Sequence, residues 1–145
     1  MAASEHVTSA MDISASALTA QRRRMDVIAT NIANANSLVT PEGGPYRRRE
    51  VTFATVMNNE LSGDDAAALS GVRIESIQAS KAPLQVVHDP EHPMADEDGF
   101  VQMPNVNVTR EMVDMVAAQR AYEANLAAMK TYRGILQNAI GILKH

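Results

Sequence analysis

The residues best suited to chemistry in this 145-residue chain fall in three clusters. The first is acidic. Asp96, Glu97 and Asp98 precede Gly99, and Asp89 lies shortly before, with His88 and His92 four residues apart. Hard cations take several oxygen ligands, and an EF-hand loop would need acids at its positions 1, 3 and 5, Gly at 6 and Glu at 12. This run does not have that order, so it reads as a solvated turn closed by glycine. His88 and His92 would share a helix face, but Pro90 and Pro93 oppose a helix there. A transition-metal site is therefore not expected.

The second cluster is basic: Arg22 to Arg24 and Arg47 to Arg49. Consecutive residues fan around a helix and alternate sides along a strand, so neither triplet makes one patch. Solvated faces or salt bridges between subunits are expected. The third is the asparagine stretch NIANANSLVT, with Asn31, Asn34 and Asn36. Asparagine competes for backbone hydrogen bonds and disfavours helix interiors. No phosphate loop, GxSxG or HExxH is present, and no nucleophile and base are paired in a motif. The chain has no cysteine, which removes disulfides, thiolate zinc sites and cysteine nucleophiles. No catalysis and no cofactor are expected.

The elements that carry these clusters follow from proline and apolar spacing. All six prolines lie between Pro41 and Pro104, leaving two proline-free arms. In the first arm, alternating steps of four and three from Val7 give Met11, Ser14, Leu18, Gln21, Met25, Ile28, Ile32 and Ala35. In the second, the same steps from Val108 give Met112, Met115, Gln119, Tyr122, Leu126, Met129, Arg133, Leu136, Ile140 and Leu143. These are heptad-like seams, the pattern of helices packed along helices. Arms of this length are rods of roughly 45 and 55 Å. Val113, Val116, Ile135 and Ile142 widen the second seam, and so wide a stripe calls for more than one neighbour.

Between the arms, residues 45–57, 72–79, 82–89 and 99–103 have the β-branched and aromatic content of strands. A polar, small-residue stretch near 58–71 is expected to be a mobile loop. The expected fold is mainly α. An N-terminal helical arm (1–36) pairs with a C-terminal helical arm (105–145) as an antiparallel, coiled-coil-like couple, around a small β-rich insertion (37–104). Val7, Met11, Leu18, Met25, Ile28, Ile32, Met112, Met115, Tyr122, Leu126, Met129, Leu136, Ile140 and Leu143 are expected to pack between subunits. Asn34 or Asn36 is expected to end the first helix. Asn31 and its neighbour are expected to bond across subunits and fix register, as buried polar residues do in coiled coils.

The chain is 46% hydrophobic but only 3% aromatic, with a net charge of −4. The middle segment is the acidic part, with eleven acids against five bases. Phosphate contacts need a basic surface, so a general nucleic-acid binder is excluded. No apolar run approaches the length that spans a bilayer. The first residues lack the basic and apolar regions of a secretory signal peptide.

Two blocks resemble a known family. VIATNIANANS is similar to the N-terminal signature of the bacterial flagellar basal-body rod proteins, with Ser37 where threonine is usual. HDPEHPMADEDGFVQMPNVNVTREMVDMVAAQRAYEANLAAMKT resembles the second block of the short members that build the proximal rod. His88 and Phe100 stand where tyrosine is common. The resemblance implies a structural subunit of the proximal rod, a drive shaft that transmits torque and surrounds the export channel. It implies export by the flagellar type III pathway without a cleaved signal peptide, and assembly in the periplasm. The implied partners are other rod proteins, the rod adaptor FliE, the inner-membrane ring and further copies of the chain. The seams alone would also suit a non-flagellar coiled-coil adaptor that captures another helix.

Overall fold

The structure, a computed structural model, describes residues 2–57 and 70–142, with side-chain surroundings given over 11–56 and 71–142. The chain opens with helix α1 (Ala2–Ala33). Strands β1 (Arg49–Met57), β2 (Ser70–Ala79), β3 (Gln85–His88) and β4 (Phe100–Met103) follow, and helix α2 (Val108–Ile142) closes it. The strands form two separate two-stranded sheets, β1 with β2 and β3 with β4. In the second, the strands are antiparallel, with Gln85 opposite Met103 and His88 opposite Phe100. The loop expected near 58–71 lies mostly outside the described residues.

The helices form where the proline-free seams run, and their ends have identifiable causes. At the end of α1, the Asn34 amide Nδ2 donates back to the Thr30 carbonyl at 2.9 Å. Its Oδ1 accepts from the Ser37 hydroxyl at 3.1 Å. The Ser37 N–H then bonds to the Asn34 carbonyl, so the helix tightens into a turn. No described non-glycine residue has a positive φ, so the helix ends without a left-handed asparagine cap. At the start of α2, Asn107 accepts from the Arg110 N–H through Oδ1 at 3.0 Å and from the Glu111 N–H through its carbonyl at 2.9 Å. This is N-capping, which satisfies donors that have no partner in the first turn.

Three strands begin later than composition suggests, whereas β2 begins at Ser70, ahead of the expected 72. Residues before Arg49 turn back, with the Tyr46 N–H on the Ser37 carbonyl. Pro83 has no N–H to give a ladder, and β3 begins two residues later.

The chain forms two compact units. One comprises residues 1–25, 52–76 and 117–145; the other comprises 26–51 and 77–116. In the first, the Ser16 hydroxyl donates to the Ile13 carbonyl and accepts the Val72 N–H at 3.1 Å. A Cβ on Gly71 would stand 3.1 Å from that hydroxyl oxygen. Ser14, Ala20 and Ala118 are buried there. The second unit holds the larger buried set: Val27, Ile28, Asn31, Tyr46, Val101, Pro104, Val106 and Glu111.

Candidate functional site

The feature that organises the second unit is a polar hub centred on Asn31 and Glu111, 1% and 0% exposed. Asn31 sits in the last turns of α1. Its Nδ2 donates to the Arg49 carbonyl at 2.9 Å and to Glu111 Oε2 at 3.0 Å. Its Oδ1 accepts from the Arg49 N–H and from the Tyr46 hydroxyl, both at 2.9 Å. Two donors and two lone pairs are all an asparagine amide has, so its capacity is filled. Toward Arg49 the side chain bonds both backbone groups, as a neighbouring strand would. The bond across copies expected of Asn31 is thus replaced by one within the chain, because no group on the side chain remains to reach a neighbour.

Glu111 lies in the first turn of α2. Its Oε1 accepts from Arg48 Nε at 2.6 Å. Arg48 also reaches Glu50 at 2.8 Å and Asp114 at 3.6 Å. Its backbone N–H bonds to Asn105 Oδ1 at 2.7 Å, and its carbonyl accepts the Ser80 N–H at 2.7 Å. Asn105 Nδ2 reaches the Ala82 carbonyl at 3.1 Å. Burial acts to lower the Arg48 pKa, but hydrogen bonding and charge from Glu111, then from Glu50, outweigh it and raise the pKa. Burial raises the Tyr46 phenol, Arg49 opposes that, and Glu111 adds to it. The arrangement is a fastener. Its groups are engaged in holding three chain segments together, and it presents no nucleophile with a base.

Of the second arginine triplet, Arg47 and Arg49 are exposed and Arg48 turns inward. Strand alternation hinted at this, but the ion pair with Glu111 was not anticipated. Tyr46, Asn105 and Glu111 were likewise missed. The asparagine of Met-Pro-Asn-Val-Asn turns out to be a hub member, with buried Pro104 and Val106 on either side and the Asn107 cap beyond.

The seam residues are placed unequally. Ile28 is buried, and Met11, Leu18, Met25 and Ile32 are half-buried. On α2, Met115, Tyr122, Leu126, Met129 and Leu136 are half-buried. Met112 is 54% exposed and Ile140 55%. Asn34 is half-buried in the helix-ending turn and Asn36 is exposed. The side chains of Val7 and Leu143 lie outside the described residues. Val113, Val116, Ile135 and Ile142 are exposed as well.

The acidic turn is held by its own groups. Asp96 Oδ1 accepts from the N–H of Asp98 and of Phe100 at 3.1 and 2.7 Å. His92 Nδ1 accepts the Met94 N–H at 3.1 Å. The His88 ring meets Phe100 edge-on at 5.0 Å. Gly99 is buried at φ 76°, and a Cβ there would stand 3.0 Å from Pro90, so glycine is required. Among the described residues, no group of three or more His, Cys, Asp or Glu is placed to hold a metal ion. No helix among them is long and apolar enough to cross a membrane.

Comparison with known proteins gives this arrangement a setting. The chain is 42% identical to the flagellar basal-body rod protein FlgC of Borreliella burgdorferi, over 94% of this chain and 97% of the relative. It belongs to the flagellar basal-body rod protein family. FlgC of Bacillus subtilis is 41% identical over 92% of this chain and 96% of its own length. FlgC of Salmonella typhimurium is 40% identical over 86% and 89%. Residues 11–38 match the family model described as flagella basal body rod protein. Residues 97–142 match that of the flagellar basal body rod FlgEFG protein C-terminal. No enzymatic family is indicated. The two matched rod-family segments meet at the hub, where Asn31 of the first bonds Glu111 of the second.

Proposed function

We propose that this chain is a structural, non-catalytic subunit of the proximal rod of the flagellar basal body. It assembles with other rod proteins and with further copies of itself into the shaft that transmits torque. The observation that carries the reading is the set of uncovered apolar side chains on α2: Met112, Val113 and Val116, then Ile135, Ile140 and Ile142. Covering a large apolar side chain stabilises by ~1.5–3 kcal/mol, so neighbours seated along this helix would supply the cohesion of a shaft. The seams of α1 and α2 pair as an antiparallel, coiled-coil-like couple in that assembly. The arms form its inner layer around the export channel, and the 37–104 segment stands outside. Export by the type III pathway, assembly in the periplasm, and contacts with FliE and the inner-membrane ring complete the reading. Deleting the gene tests it. The expected result is loss of motility, with basal bodies that stop at the inner-membrane ring. Complete flagella in the deletion strain would favour a non-flagellar helix-binding adaptor instead.

A further inference from the structure

The second unit carries a groove of about 450 Å³, lined in part by Thr30, Asn34, Thr40, Tyr46, Arg47 and Arg49. Most of its polar side chains are already committed. Thr30 donates to the Asp26 carbonyl and Thr40 to the Gly44 carbonyl. Asn34 is used at both ends, and Tyr46 donates to Asn31. The guanidinium groups are different. One Arg47 amino group makes two long bonds, 3.4 and 3.3 Å, to the Ser80 and Ala82 carbonyls. Arg49 has only a 3.9 Å approach to Glu42, whose side chain is 86% exposed. An arginine offers five donors in a planar fork that matches a carboxylate, so this groove has cationic donors in excess.

The same chain has matching acceptors in excess. Residues 89–98 hold Asp89, Glu91, Asp96, Glu97 and Asp98 with no lysine or arginine. Glu97 and Asp98 are exposed, and no hydrogen bond or ion pair of their side chains occurs among the described residues. The turn that presents them is preorganised by the Gly99 N–H on the Asp96 carbonyl and by the two bonds to Asp96 Oδ1. A fixed turn loses little entropy when it docks.

We propose that the Arg47–Arg49 groove of one copy receives the Asp96–Asp98 turn of the next copy. The contact rests on the rod reading above and deepens it. A groove and a knob on one chain make a heterologous contact, which propagates into rings or helices.

The chain has no cysteine, so introduced thiols report cleanly. Arg49→Cys and Glu97→Cys are placed in two differently tagged full-length copies, co-expressed, and basal bodies are isolated under oxidation. The expected result is a mixed disulfide joining the two tags, with neither variant forming one alone. Arg47→Glu with Arg49→Glu should reduce complete rods about tenfold or more, since like charges then face each other. Adding Glu97→Lys with Asp98→Lys should restore them. Should the groove variant fail to accumulate, Glu97→Lys with Asp98→Lys alone, on an exposed turn, should give the same loss. Basal bodies that contain both tagged copies without the mixed disulfide overturn the contact, as do disulfides only to other rod proteins or charge reversals without effect. In each of those cases the chain is still in the rod. Absence of the chain from basal bodies overturns the rod reading instead.

Discussion

The hub and the outer part of α2 solve opposite problems. Around Asn31 and Glu111, polar groups are buried and find their partners inside the chain. Near the end of α2, Ile135, Ile140 and Ile142 are exposed at 52% to 77%. Hydrogen bonds are directional and set one geometry, whereas apolar area is indifferent to which surface covers it. The contrast teaches a division of labour. The hub fixes how the end of α1, the 46–49 segment and the start of α2 meet. In the proposed rod, the helix beyond has its contacts completed by another chain.

The contrast breaks most visibly if the buried ion pair is cut. Glu111→Ala removes the acceptor of Arg48 Nε and one of the two acceptors of Asn31 Nδ2. Arg48 keeps Glu50 and Asp114, so the loss is about 3 kcal/mol, the lower end for breaking a buried pair. Urea denaturation of the free chain should show an unfolding free energy lower by that amount. Asn31→Ala comes next. It strands the Tyr46 hydroxyl and the Arg49 backbone groups, for about 1–3 kcal/mol in the same measurement.

The arms were legible because the four-and-three apolar spacing and the confinement of proline to Pro41–Pro104 are local facts. A helix end at Asn34 or Asn36 was expected for the same reason, and Asn34 is the one whose side chain bonds back to the last turn. The hub was not. Arg48 and Glu111 are 63 residues apart, Asn31 and Glu111 80, and no local pattern marks an arginine that turns inward. The strands were found but not their grouping into two separate sheets, because pairing is decided by partners distant in the chain. β3 is exposed along its whole length.

A smaller effect comes from pH. Burial raises the Tyr46 phenol above its ordinary value of 10.0. The folded state therefore favours the neutral form, and the stability this contributes is complete below that value. It is lost as pH rises through the raised one. An alkaline titration followed by tyrosine absorbance should show a late-ionising phenol in the native chain. Tyr46→Phe should remove that phase.

The smallest effect on the fold is expected where the effect on assembly is largest. Met112→Ser, Val113→Ser and Val116→Ser together replace exposed side chains. Each should change free-chain stability by no more than about 0.5 kcal/mol. The triple variant should nonetheless be depleted from isolated basal bodies, measured by quantitative immunoblot.

Native-state amide hydrogen exchange on the full-length chain, free at low concentration and then within isolated basal bodies, tests the division of labour most directly. The free chain should protect the Arg49 and Glu111 amides strongly and the 135–142 amides weakly, and assembly should raise protection over 135–142. Equal protection of the hub and of residues 135–142 in the free chain, unchanged on assembly, would contradict the account.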